Sequence, residues 1–135
     1  AERIRKISGR KKSIFLNSGI FHNGDKKVTS KLKAIRHRYS SHLGYERVVF
    51  DFTTDEIPKV YGNIASQKSK IYIDLFNTQL NESIDSFGKS KFVAAINFYP
   101  LSEDSLSVEL DLKKSSAVDI FYLSSPGRLV IDIKK

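Results

Sequence analysis

The sequence predicts an all-β domain, a sandwich of two similar small sheets with an internal pseudo-twofold repeat. Three observations support this class: four similar segments of alternating apolar residues, their pairing into two units, and the absence of sustained helical periodicity. Among 135 residues, 40% are hydrophobic and only ten are Gly or Pro, which excludes wholesale disorder. A chain of this length builds one core, so we expect one domain with an N-terminal tail.

The N-terminal third carries the basic charge of the chain, whose formal net charge is +8. Residues 1–44 contain twelve Lys or Arg against two acids, whereas residues 45–135 contain eleven against thirteen. Because few large apolar residues accompany the charges in residues 1–31, we interpret this segment as a basic leader that is partly mobile. Its apolar patch, Ile14–Leu16 with Ile20 and Phe21, is able to dock on the body.

Residues 32–135 form the predicted sandwich. Four segments alternate apolar and polar residues, and in each the polar positions end with an Asp. These segments are Arg47–Phe52, Lys70–Leu75, Ser107–Leu112 and Arg128–Ile133. Three more alternating runs predict further strands at Lys59–Ile64, Lys91–Tyr99 and Ala117–Leu123. The order strand, strand, strand thus occurs twice, which favours two β-meanders whose inner faces share a core.

Residues that carry catalysis or bind metals are not arranged in a recognisable pattern. The chain has no Cys, no Gly-x-Ser-x-Gly elbow and no glycine-rich phosphate loop. His37, His42 and Glu46 are the nearest approach to a zinc set, but His37 and His42 point to opposite faces of a strand. We therefore expect no enzymatic activity in this chain, no cofactor and no metal site.

Charged residues recur at the outward positions of the repeated strand. The pairs, each four residues apart and on one face, are Arg47 with Asp51, Lys70 with Asp74 and Arg128 with Asp132. Two interpretations stay open. The charges either pair across the ladder and set register and solubility, or their basic members anchor a carboxylate-rich ligand through the planar guanidinium.

Cations and aromatic rings occur together at the start of the predicted sandwich, in residues 34–42 and then at Tyr45 and Arg47. Aromatic faces stack against sugars or bases, and cations bind carboxylates or phosphates. This composition does not distinguish a polyanionic glycan from a nucleic acid. A third interpretation is a solvated edge strand whose charges discourage edge-to-edge aggregation.

Four motifs resemble the AMIN domain family, and the last of them is the most specific. They are Ile35–His37, Tyr45–Phe52, Ile71–Leu75 and Pro126–Ile133. The resemblance covers about residues 32–135, whereas the basic leader departs from the family pattern. It implies a β-sandwich that holds exported envelope proteins at peptidoglycan, as in N-acetylmuramoyl-L-alanine amidases and type IV pilus secretins. The Arg-His shortly before Tyr-x-Arg-Val-Val is closer to the amidase-associated kind.

The resemblance implies a non-catalytic peptidoglycan-binding and localisation domain, the N-terminal module of a periplasmic amidase, septal in its localisation. We expect peptidoglycan and envelope or division proteins as partners, an export signal removed or outside this sequence, no specific nucleic acid and no transmembrane segment. Stem peptides offer free carboxylates and glycan strands offer apolar sugar faces. The ligand contacts that we predict are Arg36, Arg38, Tyr45, Arg47 and Arg128.

Two other functions remain as alternatives. Exposed strand edges accept a partner strand, so the chain is also interpretable as a protein-interaction or assembly domain of an envelope complex such as a pilus secretin. The basic segment 1–44 also suits a nucleic-acid-binding module whose affinity falls steeply with salt.

Overall fold

The computed structural model describes residues 4–9, 14–25, 27–81, 84, 88–102 and 104–134. Strands make up 63% of the structure. The helical structure among the described residues is a single 3-10 turn at Ser66–Lys68. In chain order the strands are β1 (Ile4–Lys6), β2 (Gly19–His22), β3 (Ser30–Ser40), β4 (Tyr45–Phe52), β5 (Val60–Ala65), β6 (Lys70–Phe76), β7 (Thr78–Leu80), β8 (Val93–Ser102), β9 (Ser105–Leu112), β10 (Ala117–Leu123) and β11 (Arg128–Lys134).

The strands form two sheets that pack against each other, which confirms the predicted sandwich. The six-stranded sheet has the order β1-β2-β5-β6-β9-β8, and the five-stranded sheet has the order β10-β11-β4-β3-β7. One edge pair of each sheet, β1 with β2 and β3 with β7, is parallel, and the other pairs are antiparallel. Alternate residues such as Phe50, Ile73 and Leu110 are fully buried in the core between the sheets. No helix among the described residues is long and apolar enough to span a membrane.

The internal repeat relates one sheet to the other. Hairpins β3–β4 and β5–β6 of the first half correspond to β8–β9 and β10–β11 of the second half. In each half the first hairpin lies in one sheet and the second hairpin in the other. A register shift also falls at corresponding points, between Leu32 and Ala34 in β3 and between Val93 and Ala95 in β8.

The prediction of two β-meanders is wrong in the way the strands pair. Strand β4 does not pair with β5 but with β11, and β9 does not pair with β10 but with β6. Each three-strand unit therefore crosses from one sheet to the other. The physical reason is that alternation specifies the buried face of a strand, whereas any neighbour with free backbone groups can complete its hydrogen-bond ladder.

Described residues of the predicted leader, residues 1–31, pack on the sandwich. Strands β1 and β2, both inside residues 1–31, extend the six-stranded sheet beside β5. Ile7 and Phe21 belong to the shared core at 1% and 3% exposure. Leu16 exchanges two backbone hydrogen bonds of 2.8 Å with Val118 on β10. Residues 1–3 and 10–13, with the rest of the basic charge before β2, lie outside the described residues.

Candidate functional site

Four of the five predicted ligand contacts lie together on the outer face of the five-stranded sheet. The alternation of β3 and β4 directs Arg36, Arg38, Tyr45 and Arg47 away from the core. These four residues, which we call the arginine surface, line a shallow cavity of about 430 Å³. Each strand positions its residues two apart, so their side chains follow one another along the same face.

Arg47 is held in place by an acid on the neighbouring strand. It lies opposite Asp132 in the β4–β11 register, and its Nε and Nη2 donate to the carboxylate over 2.8 and 3.0 Å. The hydrogen bonds to Asp132 raise the pKa of Arg47 above its usual value. The guanidinium carbon also lies 5.8 Å from the Tyr45 ring centroid and 5.4 Å from that of Phe121. Because Nε and Nη2 of Arg47 already donate to Asp132, Arg47 orders this surface and presents fewer N–H donors to a ligand.

Arg36 forms the second two-pronged pair. Its Nε and Nη2 donate to Asp51 over 2.6 and 2.9 Å, and this hydrogen bonding raises the pKa of Arg36. The Arg36 side chain is 61% exposed, against 18% for Asp51. One side of the guanidinium thus meets Asp51 while the remaining donors face solvent.

Arg38 differs from both neighbours because it makes no ion pair with the part of the chain that the structure describes. It is exposed and lies opposite Arg47 in the β3–β4 register. Two cations side by side, with only Arg47 neutralised by its own acid, leave a local excess of positive charge. Arg38 is consequently the cation on this surface that is available to an incoming anion.

Tyr45 supplies the aromatic part of the arginine surface. Its ring packs at 6.0 Å and 49° against Phe15, a residue of the segment between β1 and β2. The ammonium nitrogen of Lys134 lies 4.3 Å from the centroid of the Phe15 ring. Phe15 lies beside this surface and belongs to the apolar patch for which the sequence predicted docking on the body, without identifying Tyr45 as its partner.

Arg128 does not line the cavity. It stands at the start of β11, where its Nε donates to the carbonyl of Pro126 over 3.0 Å and its Nη2 to that of Ser124 over 3.4 Å. The side chain therefore closes the turn between β10 and β11. The structure brings together Arg36, Arg38, Tyr45 and Arg47 and places Arg128 apart from them.

Two of the three basic residues of the repeat, Arg47 and Lys70, pair with acids across the ladder, as one of the two interpretations left open by the sequence expects. Arg47 meets Asp132 from β4 to β11, and Lys70 on β6 meets Glu109 and Asp111 on β9. Hydrogen bonding to Glu109 raises the pKa of Lys70. The register of the central strands is thus marked by charge as well as by the apolar pattern.

Glu46 is a buried carboxylate whose role the sequence analysis missed. It is 1% exposed and accepts hydrogen bonds from the Ser90 hydroxyl at 2.5 Å and from the backbone amides of Lys91 and Phe92 at 3.1 and 3.0 Å. Burial raises the pKa of Glu46, but these hydrogen bonds and that with His37 outweigh it and lower the pKa. The signal was present, since Glu46 occupies an inward position of the alternating strand that continues at Val48.

The residues considered as a zinc set do not converge. His37 Nδ1 lies 3.2 Å from Oε2 of Glu46, whereas His42 lies exposed in the turn between β3 and β4. Within the described ranges, no three His, Asp or Glu residues form a group able to hold a metal ion. The His37–Glu46 contact instead belongs to the hydrogen-bonded anchor of the segment that leads into β8.

No protein-family model matches the sequence, and no curated protein matches it either. The basis for a functional proposal is therefore the chemistry of the surface itself: a shallow site with exposed guanidinium donors, an Arg that has no acidic partner among the described residues, and a tyrosine ring.

Proposed function

We propose that this chain is a non-catalytic peptidoglycan-binding and localisation domain of a periplasmic cell-wall protein, of the kind associated with N-acetylmuramoyl-L-alanine amidases. The single observation that carries the proposal is the arginine surface, where Arg38 has no acidic partner among the described residues and Arg36 exposes part of its guanidinium. Free carboxylates of stem peptides suit these donors. The ring of Tyr45 suits the apolar face of a sugar.

The shape of the surface supports a polymeric ligand. The cavity is shallow, and a contact between screened surface charges contributes only about 0–1 kcal/mol. Affinity for an isolated muropeptide is then weak, whereas a polymer that repeats the same carboxylate holds the domain through many binding events. Arg36 and Arg47 support this mode because their acids already orient them, which reduces the entropy lost on binding.

Co-sedimentation of the full chain with purified sacculi tests the proposal. We expect the wild-type protein in the pellet at physiological salt and a several-fold loss of retention for Arg38→Ala. The matched control is Lys68→Ala, which removes the same charge from the exposed 3-10 turn. A wild-type protein that stays in the supernatant, or equal losses in both variants, would contradict the proposal.

A competition step separates specific binding from simple charge attraction. A DNA duplex added to the sacculi should displace little protein if carboxylate recognition by Arg38 dominates. Displacement by DNA at low concentration, with a steep dependence on salt, would favour the nucleic-acid alternative instead.

The edge of β8 favours a second candidate function, a protein-interaction or assembly domain. This ten-residue strand pairs with β9 on one side, and on its other side no strand of the described chain pairs with it. Tyr99 and Leu101 are exposed there at 46% and 65%. Such an edge offers backbone donors and acceptors to an added strand. Photocrosslinking from position 101 that captures a partner or a second copy, without retention on sacculi, would favour this function over peptidoglycan binding.

A further inference from the structure

Three tyrosines lie on the outer face of the six-stranded sheet, on the opposite side of the molecule from the arginine surface. The register aligns two rows of outward residues across β5, β6, β9 and β8. One row consists of Tyr61, Asp74, Ser107 and Tyr99, and the next consists of Asn63, Tyr72, Glu109 and Asn97. We call these eight residues the tyrosine face.

The rings are spaced as an extended platform. Tyr61 and Tyr99 are 42% and 46% exposed, and Tyr72 lies between their strands in the adjacent row. Tyr61 and Tyr99 are three strands apart, which corresponds to about 14 Å at the usual spacing of strands. None of the three hydroxyl groups has a hydrogen bond to a residue that the structure describes. The platform therefore offers apolar ring faces together with free donors and acceptors.

The polar groups between the rings exclude an anionic ligand. Among the described residues between the rings, Asp74, Glu109 and Asp111 outnumber Lys70, which pairs with Glu109 and Asp111, and Lys59 before β5 pairs with Asp25. Carboxylates and phosphates would meet like charge here. This combination of exposed rings with carboxylate and amide acceptors suits the apolar faces and hydroxyl groups of uncharged sugars.

The internal repeat shows that the two outer faces use equivalent positions for different chemistry. The shared register equates Tyr99 with Arg38, and Ser107 with Arg47. An acid on the neighbouring strand is present on both faces. Asp74 on β6 accepts a hydrogen bond from Ser107 over 2.9 Å, as Asp132 on β11 does from Arg47. One face of the sandwich is thus cationic, and its counterpart is aromatic and weakly acidic.

We propose that the tyrosine face binds an uncharged polysaccharide strand, with successive sugar rings stacked on Tyr61, Tyr72 and Tyr99. The binding of an uncharged oligosaccharide does not depend on the function proposed above. Its identification with the glycan strand of peptidoglycan rests on that function. In that setting one molecule contacts the sugars through one face and the stem-peptide carboxylates through the other.

Titration of the full chain with a β-1,4-linked N-acetylglucosamine hexamer, followed by NMR, tests the inference. This probe is uncharged and carries no stem peptide. We expect shift changes in β5, β6 and β8 that are insensitive to salt, and a loss of affinity of about tenfold or more in the double variant Tyr61→Ala/Tyr99→Ala. The corresponding double substitution by Phe should retain most of the affinity, because the stacking face remains.

Two controls make the result specific. Tyr39→Ala removes a tyrosine of similar exposure, 39%, that packs on Phe92 away from the tyrosine face, and it should leave the affinity unchanged. Arg38→Ala should also bind the hexamer like the wild type while losing retention on sacculi. Unchanged melting temperatures show that each variant folds, as expected for exposed rings.

The inference is overturned if the hexamer causes no shift changes at tens of millimolar, if the changes map to another surface, or if Tyr61→Ala/Tyr99→Ala binds normally. The two proposals fail separately. Hexamer binding without retention on sacculi overturns the peptidoglycan function and leaves the saccharide face standing. If the protein is retained on sacculi, loses this retention in Arg38→Ala and does not bind the hexamer, the peptidoglycan function stands and the saccharide face is overturned.

Discussion

Glu46 shows how one carboxylate in an apolar strand is stabilised by groups distant in sequence. Its partners Ser90, Lys91 and Phe92 are 44 to 46 residues away and form the entry to β8. Because its pKa in the folded protein lies below the ordinary value of 4.5, the ionised form stabilises the fold. This contribution is fully present above the unfolded pKa and is lost as the pH falls through the folded pKa.

Glu46→Gln should therefore lower the free energy of unfolding at neutral pH by about 2 kcal/mol, since charge-assisted hydrogen bonds are lost. The difference from wild type should shrink in acid, as the pH falls below 4.5 and through the lower pKa at which the folded wild-type carboxylate is itself protonated. Urea unfolding at several pH values measures both effects. Glu109→Gln, at a surface ion pair, is the control and should cost at most about 1 kcal/mol. A constant difference across pH would refute the assigned role.

Arg47 and Arg36 make similar pairs but should contribute differently to stability. The acid in the Arg47 pair, Asp132, is 2% exposed, whereas the acid in the Arg36 pair, Asp51, is 18% exposed. The arginine side chains themselves are 43% exposed for Arg47 and 61% for Arg36. Arg47→Ala should cost about 2 kcal/mol, less than for a fully buried pair because Arg47 itself is half-exposed. Arg36→Ala should cost about 0.5 kcal/mol or less. Thermal unfolding of both variants measures the contrast, and equal losses would show that burial of the acid does not govern these pairs.

Among the strands, β5 shows how a short N-terminal strand is accommodated in the six-stranded sheet. Gly62 lies opposite Phe21 in the β2–β5 register, and the equivalent position in β10 is Ile120. A Cβ at Gly62 would overlap the Phe21 ring and the carbonyl oxygen of Tyr72. The absence of a side chain at Gly62 is thus what lets the Phe21 ring reach the core.

Gly62→Ala should consequently destabilise the protein by about 1–3 kcal/mol, as expected for overpacking. Part of the loss should be recovered in Gly62→Ala/Phe21→Leu, because the smaller side chain relieves one of the two overlaps. Chemical unfolding measures both values. Gly44→Ala is not a suitable reference because its φ is +78°, so Gly9→Ala, with an open site, serves as the control. Equal stability of Gly62→Ala and wild type would contradict this packing.

For the molecule as a whole, the described N-terminal strands close one side of the sandwich. These strands and the residues that directly follow them contribute Ile7 and Phe21 to the core and place Asn23, 2% exposed, beside the start of β5. The Asn23 amide donates to the carbonyl of Pro58 over 2.8 Å and accepts from the amide of Val60 over 2.7 Å. Their removal would expose β5 and leave these two backbone groups without their partner.

Deletion of residues 1–25 should therefore lower the melting temperature strongly or abolish cooperative unfolding. Burial of Ile7 and Phe21 alone is worth about 3–6 kcal/mol, a large part of the usual 5–15 kcal/mol for a domain. Differential scanning calorimetry of the deletion variant measures the effect. The substitution Lys6→Gln removes an exposed charge without a core residue and should unfold nearly as the full chain does. A deletion variant with unchanged melting temperature would show that these residues are dispensable for the sandwich.

Most of the site was accessible from sequence because its residues are local to two strands. Alternation alone puts Arg36, Arg38, Tyr45 and Arg47 on outward positions of β3 and β4, and the structure gathers these four. The predicted contact Arg128 lies apart because its guanidinium donates to carbonyls of its own turn. The patch that contains Phe15 was expected to dock on the body, but its partner Tyr45 was not predicted, because that contact depends on the path of a segment that has no periodic pattern.

The sequence by itself determined β4 to β6 and β8 to β11, their buried faces and the repeat, because a period of two in hydrophobicity is a local property of each strand, whereas the three-residue β7 is too short to show one. Only the tertiary structure decided which strands pair, as with Arg47 and Asp132, 85 residues apart. It also decided that the basic N-terminal segment supplies strands and core residues. The physical reason is that backbone ladders are chemically alike for every partner, so pairing is chosen by how all apolar faces can be buried together.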